Sequence, residues 1–530
     1  MPTLEWIGKD KVINHHQEVP FRVLERQYSF DESGQHAEDN GSENMIIHGD
    51  NLEALKALLP RYEGRVKCIY IDPPYNTGNE GWVYNDNVND PKIRKWLGEV
   101  VGKEGEDLSR HDKWLCMMYP RLRLLWKLLH PTDGAIFISI DENEIANLKL
   151  ICNEIFGGNH HVATIAWQKR YSRENRGAIG DAHEYILVYA TDVENFKCIR
   201  HMVSFDDSSS KVYKNPNNDP KGRWRGVPMT AQGYRPNQMY PITTPKGTIH
   251  YPPNGRCWST IEPEYKKLLA AGRIYFGKNG DSQPSIIRYL SEVEGMVPWT
   301  WWPHEEVGHT DEAKKEIINI LGDANLFDTP KPTRLITRIL QIATSKEDIV
   351  LDSFAGSGTT AHAVLNMNKS DGGHRKFILV EMGDYADSIT AERVRRVISG
   401  YGKDKSAVDG TGGNFSFYEM GEPLLLDADH LNEKVGAEKI REYIWFMETK
   451  LPYAKAENGN AFYLGHNNLT AYYFFYEPEK ITTLNYDFLA TISEKADSYV
   501  IYADRSALSD AELMKLGITF KKIPRDIARL

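Results

Sequence analysis

The sequence of 530 residues contains few cysteines and no long apolar segment. Its five cysteines stand singly, without a C-x-x-C pair, so neither a disulfide framework nor a structural zinc site is expected. No run of about 18 apolar residues occurs, which argues against a membrane-spanning helix. The N-terminus shows no apolar stretch followed by a small-residue cleavage site, so we expect a cytoplasmic protein without a membrane partner.

The chain is acidic overall, with a net charge of −10, which argues against a protein that coats nucleic acid non-specifically. The charge is unevenly distributed. Residues 161–256 contain 14 Lys and Arg against 8 Asp and Glu, whereas residues 401–530 contain 15 against 20. The first segment is therefore the better candidate for contacting phosphates, with an ordinary solvated surface as the alternative.

Short apolar runs that alternate with helical patterns predict an α/β fold. One such helical pattern follows the first run, with leucines at positions 52, 55, 58 and 59. A parallel sheet covered by helices on both faces is the architecture that this alternation favours. The predicted strands are Met45–Ile47, Val66–Ile71, Ala135–Ile140, Val162–Trp167, Tyr185–Tyr189, Ile349–Leu351 and Phe377–Val380.

Composition divides the chain into six segments, because the strand pattern stops near residue 190 and returns after residue 325. The intervening insert is rich in Pro, Asn, Gly and aromatic residues, and a Gly-rich linker follows the second half. The segments are an N-terminal arm (1–43), a first half-domain (44–190), the insert (191–325), a second half-domain (326–400), the linker (401–413) and a small C-terminal αβ domain (414–530).

The motif Asp72-Pro73-Pro74-Tyr75 follows directly after a predicted buried strand. Ligands of open α/β sheets bind beyond the carboxyl ends of the strands, and two prolines stiffen the turn there. The Asp72 carboxylate and the Pro73 carbonyl can accept the two N–H groups of an exocyclic amine, while Tyr75 stacks on its heterocycle. A Pro-Pro turn without function is the alternative.

A second motif, residues 352–360, forms a strand, a glycine turn and a helix start. The glycines allow close approach of a ligand, and the helix N-terminus is electropositive. No Lys follows the glycines, so it is not an ATP-type phosphate loop. The next predicted strand ends at Glu381, which suits a carboxylate on ribose hydroxyls. The order of these elements predicts a nucleoside cofactor.

Together the two motifs resemble the amino-methyltransferases that transfer methyl groups from S-adenosylmethionine to DNA bases. Their order, with the insert between them, resembles the β class. The longer strings 69–79, 310–316 and 327–332 are similar to the modification subunits of type III restriction–modification systems, which methylate adenine N6. The resemblance covers about residues 44–400. It implies a circularly permuted Rossmann-like methyltransferase fold, in which Ile349–Leu351 and Phe377–Val380 are the first two strands and the insert recognises the target.

The resemblance also implies roles for individual residues. Asp72, Pro73 and Pro74 would hold the target amine and Tyr75 would stack on the flipped base. The S-adenosylmethionine pocket would be formed by Asp352, Phe354, Gly356, Gly358, Thr359 and Glu381, with Asp50 near the adenine and Lys331 beside the methionine end. No metal is expected, because the acidic run at residues 141–144 is more typical of a solvated helix start.

An aromatic and basic stretch leaves the predicted strand Val162–Trp167, and we expect it to clamp double-stranded DNA beside the pocket. Its candidate DNA-binding residues are Trp167, Lys169, Arg170 and Arg173. An ordinary exposed loop is the alternative. The resemblance further implies a homodimer and a helicase–nuclease restriction subunit as partner. N4-cytosine methylation, an RNA substrate, or a DNA-recognition subunit that is inactive without its partner remain alternative functions.

Overall fold

The computed structural model describes residues 3–76, 107–172, 179–203, 212–293, 295–323, 327–426, 430–455, 460–478, 480–524 and 526–527. The chain forms two compact units. One comprises Met1–His201 with Trp299–Leu530, and the other is Met202–Pro298. Among the helices of the described residues, none is both long and apolar enough to cross a membrane.

An eleven-stranded sheet organises the first unit. Its strands, in chain order, are β1 (Arg22–Asp31), β2 (Gly34–His36), β3 (Met45–His48), β4 (Cys68–Ile71), β5 (Ala135–Ile140), β6 (His161–Gln168), β7 (His183–Ala190), β8 (Trp301–Trp302), β9 (Ile349–Asp352), β10 (Lys376–Glu381) and β11 (Asn414–Pro423). Across the sheet they follow the order β8-β6-β7-β5-β4-β9-β10-β3-β11-β1-β2.

The middle of this sheet is parallel, since β3, β10, β9, β4 and β5 pair in the same direction. Strand β7 runs antiparallel to both β5 and β6. The first two strands of the fold, β9 and β10, therefore come late in the chain and lie between β3 and β4. This is the permuted order that the sequence predicted, and the α/β fold class is confirmed.

Helices flank the sheet and bury its apolar residues. In chain order they are α1 (Lys9–Val12), α2 (His15–Glu18), α3 (Asn51–Tyr62), α4 (Asp107–Leu128), α5 (Ile145–Phe156), α6 (Val193–Ile199), α7 (His304–Val307), α8 (Thr310–Leu321), α9 (Thr333–Ala343), α10 (Thr359–Asp371) and α11 (Glu392–Ser399). A π-helical turn, Ala386–Ala391, precedes α11. All six residues of β5 are buried, as expected for a strand covered on both faces.

The two ends of the chain differ from the prediction, because both contribute to the central sheet. The predicted N-terminal arm contains β1 and β2, and β1 pairs antiparallel with β11. Strand β11 in turn pairs with β3, although the sequence interpretation placed its residues in a separate C-terminal domain. Within the predicted linker, Gly400–Tyr401 pairs with Val408–Asp409.

The second unit is narrower than the predicted insert, since residues 299–323 belong with the first unit. Its elements include the strands Trp224–Pro228, Thr230–Gln232, Ile242–Thr243, Ile249–His250, Arg256–Trp258, Ile274–Tyr275 and Ser285–Tyr289 and the helix Glu262–Ala270. Beyond β11, a four-stranded sheet of Tyr463–Asn467, Thr470–Phe474, Ser498–Ala503 and Ile518–Lys522 is accompanied by the helices Ala437–Thr449, Tyr486–Leu489 and Asp510–Lys515.

Candidate active site

The turn after β4 is held by contacts from two helices. Trp114 of α4 donates its indole N–H to the Pro74 carbonyl at 2.7 Å. Asn76, buried and with a left-handed φ of 60°, donates to the carboxylate of Glu144. Among the described residues, none donates a hydrogen bond to the Pro73 carbonyl. The turn is therefore fixed by Trp114 and Glu144, and within the described part of the chain no hydrogen bond occupies the Pro73 carbonyl, the acceptor assigned to the target amine.

The turn after β9 requires its two glycines. Gly356 and Gly358 have φ values of +51° and +80°, which L side chains rarely adopt. A Cβ at Gly358 would lie 3.0 Å from the Thr390 carbonyl oxygen, and one at Gly356 would lie 3.1 Å from the Phe327 ring. The backbone packs closely behind the turn at Gly358, and the start of α10 follows it directly.

Two buried carboxylates, Asp352 and Glu381, are the last residues of strands β9 and β10. Asp352 accepts hydrogen bonds from the Phe354 amide at 3.0 Å and the Thr360 hydroxyl at 2.5 Å. Burial raises the pKa of Asp352 to about 7 in spite of these two bonds. Glu381 accepts the amide protons of Gly356 at 2.7 Å and Gly383 at 2.8 Å. Burial also raises the pKa of Glu381.

Both motifs open into one cavity of about 770 Å³. Most residues assigned to catalysis or to the cofactor line it. They are Asp72, Pro73, Pro74, Tyr75, Lys331, Asp352, Phe354, Gly356, Thr359 and Glu381, with Lys169 and Arg170 of the expected DNA clamp. Residues that are far apart in the chain thus meet at the carboxyl ends of β4 and β9, as the rule for α/β sheets predicts.

Among the assigned residues that the structure describes, Asp50, Gly358 and Trp167 do not line the cavity. Asp50 caps helix α3 by accepting the amide protons of Leu52 and Glu53, and it does not line the cavity. Trp167 is fully buried and donates to the Gly308 carbonyl at 2.9 Å, so the expectation that it contacts DNA from the surface is contradicted. Arg173 lies outside the described residues.

The ammonium group of Lys331 lies against the Asp72–Tyr75 motif. Its Nζ donates to both Asp72 oxygens, at 2.8 and 2.7 Å, and lies 4.9 Å from the centre of the Tyr75 ring. Burial alone would lower the pKa of Lys331, but the neighbouring carboxylates of Asp72 and Glu184 outweigh it and raise the pKa. This lysine was predicted to lie in the pocket, but its ion pair with Asp72 was not predicted.

Glu184, at the start of β7, is a cavity residue that sequence analysis missed. Its carboxylate accepts a hydrogen bond from the Lys169 ammonium at 3.2 Å, and its Oε2 lies 3.1 Å from the Tyr75 hydroxyl oxygen and 3.7 Å from Lys331 Nζ. The Tyr75 hydroxyl also lies 2.7 Å from Asp72. Its position gave a signal in the sequence: Glu184 is a charged residue directly before the apolar run Tyr185–Tyr189, and such a run is typical of a strand buried on both faces.

Arg393 of α11 is a second residue without a sequence assignment. Its guanidinium is completely buried and joins the glycine turn to α8 and α9. Its partners are Ser357 at 2.9 Å, Thr359 at 2.9 Å, Glu316 at 3.2 Å, Thr333 at 3.1 Å and His362 at 3.1 Å. Glu316 ends the string 310–316 that carried part of the family resemblance, and this contact gives that string a structural role.

Solved structures with similar chain traces include DNA methyltransferases of low sequence identity. A putative DNA modification methylase from Thermus thermophilus, complexed with S-adenosyl-L-methionine, is 15% identical with a TM-score of 0.31, covering 67% of this chain and 95% of that chain. The cytosine-N4-specific PvuII DNA methyltransferase is 12% identical with a TM-score of 0.34, covering 66% and 86%.

Sequence relatives are much closer. The StyLTI Mod subunit of a type III restriction–modification enzyme from Salmonella typhimurium is 37% identical over 464 residues, which are 81% of this chain and 68% of that subunit. The EcoPI Mod subunit of Escherichia phage P1 is 34% identical over 426 residues, or 72% and 63%. The chain thus spans about two thirds of the length of these relatives. A family model described as DNA methylase matches residues 66–392. The chain therefore belongs to the DNA methylase family, among the relatives of type III modification subunits.

Proposed function

We propose that this protein transfers a methyl group from S-adenosylmethionine to the N6 amine of adenine in duplex DNA. One observation carries the proposal. The Asp72 carboxylate, the Pro73 carbonyl and the Tyr75 ring line the same cavity as the glycine turn and Glu381. A site for a flat base with an exocyclic amine and a site for a nucleoside cofactor are thus adjacent.

The residues of the cavity fit S-adenosylmethionine. A volume of about 770 Å³ lies within the range of small-molecule sites. Glu381 lines the cavity at the end of β10, and a carboxylate at this place suits the hydroxyls of a ribose. When bound, the sulfonium supplies an activated methyl group, so the protein needs neither a metal nor a covalent intermediate.

The protein's own contribution is to position the target amine and to favour the transition state electrostatically. The lone pair of an adenine amine is delocalised into the ring and is a poor nucleophile. Acceptance of its two hydrogens by the Asp72 carboxylate and the Pro73 carbonyl localises that lone pair, and the fixed turn directs it. Stacking on Tyr75 contributes about 1–3 kcal/mol to capture of the base.

The target base must leave the duplex to reach this cavity, at a cost of a few kcal/mol. The same pair of acceptors would serve the N4 amine of cytosine. We favour adenine because the motif strings resemble type III modification subunits. By the same reasoning we propose a helicase–nuclease restriction subunit as partner and a homodimeric assembly.

The test is to express the chain in a methylation-free host and map modified bases by direct long-read sequencing. We expect N6-methyladenine at one short motif, and its loss in Asp72→Ala. Asp72→Asn, which keeps the side-chain shape, is the matched variant. Calorimetric titration of both variants with S-adenosylmethionine should give affinities close to that of the unmodified protein.

Each result has a distinct meaning. Detection of N4-methylcytosine would support methyl transfer to an exocyclic amine but would identify cytosine as the target base. Methylation that persists in both Asp72 variants would refute the catalytic assignment. An unmodified genome would require repetition with the co-expressed restriction subunit, and an unmodified genome there too would refute the proposed function.

A further inference from the structure

Four charged side chains that line the cavity form a network that a target base has to rearrange. Two carboxylates, Asp72 and Glu184, face two ammonium groups, Lys331 and Lys169. The two oxygens of Asp72 already accept three hydrogen bonds, two from Lys331 and one from Tyr75. A carboxylate has about four acceptor positions, so little capacity remains for a target amine.

The ammonium of Lys331 also lies where the base is needed. Aromatic rings in favourable contact have centroids about 4.5–7 Å apart. Lys331 Nζ is 4.9 Å from the centre of the Tyr75 ring, which is within that range. A base that stacks on Tyr75 and donates to Asp72 therefore competes with Lys331 for both partners.

On the basis of the proposed function, we infer that Glu184 is a positioning residue that receives the Lys331 ammonium when the target base displaces it from Asp72. Glu184 Oε2 lies 3.7 Å from Lys331 Nζ. A movement of about 1 Å would bring the pair to the distance of a charge-assisted hydrogen bond, about 2.7–2.9 Å. The ammonium then keeps a carboxylate partner throughout, which matters because an unpaired buried charge is costly.

Glu184 is prepared for this role by its other contacts. The Lys169 ammonium donates to its Oε1 at 3.2 Å, so the carboxylate is held beside the site before the base arrives. It is only 7% exposed, so water offers Lys331 little competing solvation there. Release of the Tyr75 hydroxyl from Asp72 toward Glu184 would free a further Asp72 acceptor position.

The experiment uses Glu184→Gln in the full-length protein, with a duplex containing the mapped methylation site. We expect the KM for this duplex to rise about tenfold, a size typical of coupling between contacting residues. The fluorescence increase of 2-aminopurine placed at the target position should fall in parallel, because it reports unstacking of the base. The Kd for S-adenosylmethionine should stay within about twofold. Glu194→Gln, an exposed glutamate on α6, is the matched control.

A double-mutant cycle separates this role from a structural one. In the background of Lys331→Met there is no ammonium to receive, so adding Glu184→Gln should change the KM for DNA by less than about threefold. Glu184→Asp keeps the charge and should recover part of the loss. Equal effects of Glu184→Gln in both backgrounds, or an unchanged KM in the single variant, would overturn the inference. Because the unmodified protein is assayed alongside, failure of the proposed function would appear separately, as lack of methylation in that protein.

Discussion

Asp352→Asn should stabilise the protein, and more so at alkaline than at acid pH. In the folded chain burial raises the pKa of Asp352 from 3.8 to about 7. This difference corresponds to about 4 kcal/mol. The unfolded chain releases the proton near pH 4 and the folded chain holds it to about pH 7. Between these values the folded state binds more protons, so the carboxylate costs stability as the pH rises.

Asparagine avoids that cost and can keep the contacts. Its Oδ1 can accept the Phe354 amide proton and its NH₂ group can donate to the Thr360 hydroxyl, where the carboxylate now accepts. We therefore expect the variant to exceed the unmodified protein in free energy of unfolding by about 2 kcal/mol at pH 5 and about 4 kcal/mol at pH 8.

Urea unfolding of the ligand-free protein, followed by tryptophan fluorescence at pH 5 and pH 8, measures this difference. Asp10→Asn, an exposed aspartate in α1, is the control and should show no such dependence on pH. A stability difference that is equal at the two pH values, or larger at pH 5, would show that Asp352 is ionised in the folded protein under both conditions and would refute the reasoning.

Substitutions at two further residues, Tyr75 and Arg393, test the candidate site. Tyr75→Ala should raise the KM for target DNA about tenfold or more through loss of base stacking, while Tyr75→Phe should retain most of the affinity; equal effects of the two in a steady-state assay would argue against stacking. Arg393→Met leaves Glu316 and three buried hydroxyls without their cation, so we expect a loss of about 3 kcal/mol in urea unfolding and weaker calorimetric binding of S-adenosylmethionine. Unchanged stability would mean that the buried guanidinium is dispensable.

The central strands could be predicted because each is buried on both faces and therefore appears as a continuous apolar run. Ala135–Ile140 was predicted with the bounds that the structure has. The pairing of β1 with β11 was missed for a physical reason. Its register shifts between Arg22 and Leu24 and again between Arg26 and Tyr28, and such irregularities break the period of two by which a strand is recognised.

Some features of the candidate site could likewise be predicted from the sequence, and others could not. The Asp72 and Gly356 turns were predictable because their chemistry is local, consisting of a strand, a stiff or flexible turn and a few adjacent groups. The contact of Lys331 with Asp72 joins residues 259 positions apart, and that of Arg393 with Ser357 crosses two helices and a strand. No local pattern encodes such pairs, because they depend on which strand ends the fold brings together.

The expected DNA clamp shows that the location of a residue does not by itself establish its role. Lys169 does lie at the cavity, but its ammonium is paired with the buried carboxylate of Glu184, and the adjacent aromatic residue, Trp167, is bonded within the core. Substitution of Lys169 would therefore disturb the counter-charge of a catalytic-pocket residue as well as any contact with phosphate. A weaker salt dependence of DNA binding in such a variant would not by itself identify a phosphate contact. The basic unit Met202–Pro298, whose cations lie outside this network, is the better place to measure one.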